Sequence, residues 1–322
     1  MNHVVAFVFM ITMVVASINT AAAADSASAP APNVQKAVLV TGASTGIGRK
    51  ITERLAKEGY FVYAGARKDQ DLKDLDAIPN VRSLRLDVTS AGDIAAAVDT
   101  VMRAGRGLYA LVNNAGVGVG GRLTDTKEED FHFLMDVNLY GPYRVTKAFS
   151  PLIVASKGRI TTIGSISGIL TGPNSGPYSM SKHAIEAFAD VLAAEMAPFG
   201  VRVSVVEPGN YNSEIARSAA RRMGATGFGD RSRFKEPDEV AAVVLQALSE
   251  ANPKRRYMIT PNQREAEITI RKAIEVLVQL NEGQPYTYDR DALVNMLDES
   301  LATARPRTPA PIVATPPAKD SK

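Results

Sequence analysis

Ala37-Val38-Leu39-Val40-Thr41-Gly42-Ala43-Ser44-Thr45-Gly46-Ile47-Gly48 decides the fold. A short continuous apolar run stops at Thr41-Gly42, and beyond the turn Ile47, Ile51 and Leu55 recur every four positions. That is a buried strand, a glycine-rich turn and an amphipathic helix. Gly42, Gly46 and Gly48, with Ser44, Thr45 and Ile47 between and beside them, let backbone N–H groups approach a pyrophosphate at the positive end of the helix dipole. Alone, such a turn can equally serve only to pack strand on helix.

Outward from this unit the pattern repeats. Phe61–Ala64, Val81–Leu86, Leu108–Val112, Arg159–Ile163, Val201–Val206 and Tyr257–Thr260 are candidate strands, with helical stretches between most of them. Apolar runs separated by helices imply a parallel sheet covered on both faces. Right-handed crossovers then make the fold class α/β, one doubly wound parallel sheet with ligands at the carboxyl ends of the strands. Two further helical stretches, Arg264–Leu280 and Asp289–Leu301, extend the domain over residues 36–302, where they cover either the substrate side or an oligomer face.

Composition excludes other classes. The chain has 322 residues, 45% of them hydrophobic and 22% charged, and contains no Cys. Disulfide frameworks, thiolate zinc sites, iron–sulfur clusters and cysteine nucleophiles are therefore ruled out. His3, His132 and His183 lie far apart, so no metal site is expected. The net charge of +3 sits in the tail with Arg305, Arg307, Lys319 and Lys322, and the stretch between Lys36 and Ala302 is nearly neutral. Short basic clusters such as Arg221-Arg222 and Lys254-Arg255-Arg256 read as solvated faces, and no nucleic-acid partner is expected.

The ends read differently from the body. Residues 1–24 lack Asp, Glu, Lys and Arg, run apolar from Val4 to Ile18 and close on Ala21-Ala22-Ala23-Ala24. This is the pattern of a signal peptide, and export to a periplasm or medium is the expectation. The alternative is an uncleaved anchor, with membrane contact through residues 4–24 and a domain facing the cytoplasm. Residues 25–35 read as a linker. Residues 303–322, with Pro306, Pro309, Pro311, Pro316 and Pro317, read as a disordered tail.

Tyr178 and Lys182 are four positions apart in a strongly helical stretch running to about Phe199, so they share a face. An ammonium beside a phenol stabilises the phenolate and brings its proton into a working range. At the end of the second strand, Phe61-Val62-Tyr63-Ala64-Gly65-Ala66-Arg67 offers no carboxylate for a free ribose 2′-hydroxyl, while Arg67 can pair with a 2′-phosphate. NADP(H) is therefore favoured over NAD(H). That cofactor sits awkwardly with export, since an exported compartment is not expected to regenerate free NADPH.

The TGxxxGxG spacing, Asn113-Asn114-Ala115-Gly116 and Tyr178-Ser179-Met180-Ser181-Lys182 together resemble the short-chain dehydrogenase/reductase superfamily, over Lys36 to Thr260. The resemblance implies a Rossmann-type sheet and an oxidoreductase that interconverts a carbonyl and an alcohol. It implies that Tyr178 gives or takes the proton, that Ser165 hydrogen-bonds the substrate oxygen, and that Lys182 tunes Tyr178 and holds the nicotinamide ribose. Asn138 matches the asparagine that orients the lysine through water. Asp87-Val88 matches the adenine contact, Asn114-Ala115-Gly116 the wall beside the adenosine ribose, and Pro208-Gly209 with Ser213 the carboxamide site. A homodimer or homotetramer is implied as well.

Some alternatives stay open in the sequence. Ser167 competes with Ser165 as the serine of the Gly164–Gly168 turn. Catalytic silence, with the chain a dinucleotide-binding sensor or scaffold, is the second reading; epimerisation or dehydration is a third, disfavoured by the glycine spacing. His183 lies about 100° from Lys182 around the helix and is set aside as a catalyst. Glu128-Glu129-Asp130 is read as acids complementing a helix dipole. Between Ser213 and Pro237 a partly helical segment is placed as a lid that sets specificity. Glu207-Pro208-Gly209-Asn210 leans toward hydroxysteroid and retinol dehydrogenases, hence a bulky apolar ketone, aldehyde or alcohol.

Overall fold

A computed structural model describes residues 35–222 and 233–303. The stretch read as an export signal, the expected linker other than Gln35, residues 223–232 of the segment read as a lid and the expected tail beyond Thr303 lie outside the described residues. Gln35 belongs to the body, because its side-chain amide donates to Gly59 O at 3.0 Å.

The chain runs β1 (Ala37–Val40), α1 (Gly46–Lys57), β2 (Phe61–Ala66), α2 (Asp69–Asp76), β3 (Val81–Arg85), α3 (Ala91–Arg103) and β4 (Ala110–Asn113). It continues through α4 (Glu128–Met135), α5 (Gly141–Ala155), β5 (Arg159–Ile163), α6 (Gly176–Met196) and β6 (Arg202–Pro208). Last come α7 (Glu214–Arg222), α8 (Asp238–Ser249), β7 (Arg256–Ile259), α9 (Gln263–Asn281) and α10 (Arg290–Thr303). Seven strands form one sheet in the order β3-β2-β1-β4-β5-β6-β7, and every neighbouring pair is parallel.

Alternation along each strand builds two cores. Val38 and Val40 of β1, Val62 and Ala64 of β2, and Ala110 and Val112 of β4 face Ile51 and Leu55 of α1 and Val240 and Val244 of α8. Ala37, Leu39, Tyr63 and Leu111 face the other way, onto Val101 of α3, Phe149 and Ile153 of α5 and Met196 of α6. Residues one apart in a strand point to opposite faces, so both faces must be apolar in a sheet buried on both sides. The expected doubly wound architecture is therefore present. Leu108, read as the start of the fourth strand, packs in the second core but precedes the ladder, which begins at Ala110. Helix α6 ends at Met196, and Ala197–Phe199 forms a tighter turn closed by Gly200 at φ 75°, a left-handed stop that suits glycine.

The order reverses at β1. Its neighbours β2 and β4 lead the chain to opposite edges, which opens a crevice beyond the carboxyl ends of β1 and β4. No helix among the described residues is long and apolar enough to cross a membrane.

Candidate active site

The crevice holds a cleft of about 610 Å³. Its floor is the turn that follows β1. Gly42 and Gly46 adopt φ of 65° and 52°, the left-handed region glycine enters without cost from a side chain. Thr41 Oγ1 accepts from the backbone N of Asn114 and of Ala115, each at 3.0 Å. The Asn114 side-chain amide donates to Thr41 O at 2.9 Å and Gly42 O at 3.0 Å. The turns after β1 and β4 are thus stitched together at the switch point. Helix α1 starts next to this seam without a side-chain cap on its N-terminal amides, which leaves them to a ligand or solvent.

At the far end of the cleft, Arg67 follows β2 and lies 3.6 Å from the Asp87 carboxylate, with its side chain 60% exposed. Partial burial acts to raise the Asp87 carboxyl, but hydrogen bonds from Thr89 N at 2.9 Å and Thr89 Oγ1 at 2.7 Å and the Arg67 charge outweigh it. Asp87 is therefore held below the usual carboxylate range. It is a fixed anion beside the Arg67 guanidinium.

The opposite end carries the tyrosine–lysine pair. Tyr178 and Lys182 stand one turn apart on α6, with Lys182 Nζ 5.7 Å from the Tyr178 ring centre. Lys182 is 5% exposed and donates to Ile163 O at 2.8 Å. Burial lowers its pKa to about 8, opposed by the charge of Glu186, so it stays mostly cationic at neutral pH yet near its titration point. Ser165 follows β5, and its hydroxyl accepts from Ser167 N at 3.1 Å, which leaves its O–H to donate. Ser167 lines the cleft beside it, so the structure does not separate the two by position.

Each sequence-predicted position lines this cleft except Asn138. Asn138 is 2% exposed in a wide turn between α4 and α5. Its amide donates to Val117 O at 3.0 Å and Ser181 Oγ at 3.1 Å, and its carbonyl accepts from Val117 N at 2.9 Å. It grips the residue before Lys182 and the wall after β4. Pro208 and Gly209 leave β6 on the other side, with Asn210 N donating to Glu265 Oε2 of α9 at 2.7 Å. Ser213 stands close to Gly46.

The sequence reading missed several contributors. Thr41 could have been found, since a hydroxyl at the end of a buried strand can accept from the turn after the neighbouring strand, as it does from Asn114 N and Ala115 N. Leu170, Ile215 and Ile268 add apolar lining, and Ile268 comes from α9, which brings that helix of the C-terminal extension to the cleft. Two readings of charge hold but are incomplete. Arg222 is exposed yet pairs with Asp130 of α4 and lies over the Phe133 ring at 4.0 Å, so that first-turn acid also docks α7. The Lys254-Arg255-Arg256 run is exposed as expected, and Arg256 in addition pairs with Glu186, Asp190 and Glu207. His183, set aside as a catalyst, is exposed and bonds Ser179 O at 2.9 Å. No metal-binding group of side chains occurs among the described residues.

Known proteins resemble this chain. A family model described as short chain dehydrogenase matches residues 36–224. Mitochondrial D-beta-hydroxybutyrate dehydrogenase of Mus musculus is 37% identical over 206 residues, 58% of this chain and 60% of that protein. An NADPH-dependent 3-dehydrocapnine reductase of Ornithobacterium rhinotracheale is 32% identical, over 70% of this chain and 88% of that protein. Among solved structures, an actinorhodin polyketide ketoreductase with NADPH superposes with TM-score 0.64 at 28% identity, covering 70% of this chain and 96% of that one. The chain spans only about 60% of the length of the mouse protein.

Proposed function

The chain belongs to the short-chain dehydrogenase family, and from that premise we propose that it is an NADP(H)-dependent oxidoreductase interconverting a bulky apolar ketone or aldehyde with its alcohol. One observation carries the reading: Tyr178, Lys182 and Ser165 line the same cleft as the glycine cradle of Gly42, Gly46 and Gly48. The cradle fits a dinucleotide, because the N-terminal amides of α1 carry no side-chain cap and Gly42, Ser44, Thr45, Gly46, Ile47 and Gly48 line the cleft, where such amides can hold a pyrophosphate. Gly48 lets α1 pack this close, since a Cβ there would stand 2.2 and 2.3 Å from Gly42 O and the Asn114 amide.

When bound, the nicotinamide supplies or accepts the hydride. In the reducing direction the Tyr178 hydroxyl gives its proton to the substrate oxygen, and the Ser165 O–H donates a hydrogen bond to that oxygen as charge develops. The buried Lys182 ammonium stabilises the phenolate left on Tyr178. In oxidation the same groups run in reverse. Leu170, Ile215 and Ile268 favour an apolar substrate, since they offer it area rather than hydrogen bonds.

Arg67 supports the choice of NADP(H), and the relatives named above as NADPH-dependent or NADPH-bound are consistent with it. A 2′-phosphate would take up the guanidinium as a charge-assisted pair. Arg67→Asp should lower the ratio of kcat/KM for NADPH over NADH on the order of a hundredfold, by losing that bond and adding repulsion. The check is initial-rate kinetics with both cofactors against a panel of steroid, retinoid and aromatic carbonyls. An unmoved ratio would make Arg67 a surface residue that only pairs with Asp87.

A further inference from the structure

Behind the reactive face of α6 lies a second group of charges that the mechanism does not use. Glu186 follows Lys182 by one helical turn, and Glu207 lies near the end of β6, just before Pro208-Gly209. Their side chains are 12% and 3% exposed. Both meet the Arg256 guanidinium, whose Nε lies 3.1 Å from Glu186 Oε2 and 3.5 Å from Glu207 Oε1. Asp190 takes the outer edge of the same guanidinium at 2.8 Å, and Arg255 donates to the Asp190 backbone at 3.5 Å. Three carboxylates thus face one fully engaged cation, with Lys182 as the remaining positive charge on α6.

One oxygen of each glutamate lacks a hydrogen bond. Glu186 Oε1 and Glu207 Oε1 are both buried and take no hydrogen bond from any described group, and the second has Arg256 Nε only at 3.5 Å, while the same nitrogen lies 3.1 Å from Glu186 Oε2. Two carboxylates crowded against one nitrogen repel each other in a poorly hydrated place, and one proton between them relieves that repulsion and supplies a missing donor. Room for the Glu186 carboxyl is made by glycine. A Cβ at Gly164 would stand 2.9 Å, and one at Gly168 3.0 Å, from Glu186 Oε1. The carboxyl is wedged beneath the turn that presents Ser165.

We propose that Glu186 and Glu207 share a single proton beneath Arg256, and that this acid pair is a positioning device holding the Ser165 turn, the Lys182 ammonium and the Pro208-Gly209 wall in one charge state. The positioning half of this proposal rests on the oxidoreductase reading above; the shared proton does not. Burial first, and the neighbouring charge of Glu186 second, push the Glu207 carboxyl far above the usual range. Glu186 in turn is the charge that raises Lys182 against its burial.

Two measurements on the full chain test it. The fold keeps a proton on the pair at pH values where the unfolded chain has released it, so this group makes stability fall as pH rises above the ordinary carboxylate range. Glu207→Gln removes that loss. Its melting temperature relative to wild type should rise by about 4 degrees or more between pH 5 and pH 8. A difference that stays flat overturns the shared proton. Infrared spectra of the wild-type protein give the same decision without a variant, through a protonated-carboxyl band at neutral pH that is present or absent.

For the positioning role, Glu186→Gln should move the alkaline limb of the kcat profile down by about one pH unit, because Lys182 loses its supporting charge. Glu186→Asp, which keeps the carboxylate, should restore most of that shift. A limb that does not move, or an equal loss of kcat at every pH in both variants, overturns the role. Absence of turnover with any carbonyl defeats the oxidoreductase reading alone, and the melting comparison still decides the shared proton.

Discussion

Tyr178→Phe should lower kcat by about a thousandfold, within the range that a positioned acid or base contributes, while the Kd for NADPH changes by less than about threefold. The substitution removes one oxygen and keeps the ring. The glycine cradle is held by other groups: Thr41, the Asn114 amide and backbone at the β1 and β4 ends. Lys182 keeps its bond to Ile163 O, so its ammonium stays in place. Separate measurement of cofactor binding by fluorescence and of turnover by absorbance distinguishes the two effects. If kcat survives within about tenfold, another group moves the proton and the assignment of Tyr178 is wrong.

Gly48→Ala should act on the other half of the site, raising the Kd for either dinucleotide at least about a hundredfold and lowering the melting temperature. The added methyl would stand 2.2 Å from Gly42 O and 2.3 Å from Asn114 Nδ2. Neither neighbour can yield cheaply. Gly42 O is backbone of a turn at φ 65°, and the Asn114 amide is held by two hydrogen bonds. Either α1 moves off the turn, at about 1–3 kcal/mol for overpacking, or those bonds break, at about 1–3 kcal/mol for each buried polar group left without a partner. Both routes spoil the seam between β1 and β4. Gly92→Ala is the control: it sits in the first turn of α3 with only Ser90 Oγ at 3.8 Å, so it should be neutral or slightly stabilising. Equal behaviour of the two variants would remove the cradle from the account.

What could be seen in the sequence was local. Ala37–Val40 announced itself because a strand buried on both faces must be apolar without a break, and Ile51 and Leu55 because they repeat at the period of the helix that covers it. Tyr178 and Lys182 were visible for the same reason, an i,i+4 pair on one helix. Asn138, Asp87 and Ser213 came from family resemblance, since a single polar residue carries no period. The acid pair could not be seen at all. Glu186 and Glu207 are 21 positions apart, on α6 and β6, and Arg256 arrives on β7, so only the strand order β5-β6-β7 brings the charges together. Ile268 was hidden likewise, because an amphipathic helix past the sheet does not declare what it covers. Lys254-Arg255-Arg256 is exposed, as read, but the partners of Arg256 were hidden for a related reason: they come from a neighbouring strand and helix, not from the run of charges.

The most direct test of hydride transfer is isotopic. The full chain is incubated with NADPH deuterated at the transferable C4 position and with each carbonyl of the panel, and the alcohols are weighed by mass spectrometry. The account predicts an alcohol one mass unit heavier from wild-type protein, and no labelled alcohol above background from Tyr178→Phe. NADPH bound tightly by a protein that leaves every carbonyl unlabelled would contradict it, and would mark the cleft as a dinucleotide-binding module without this chemistry.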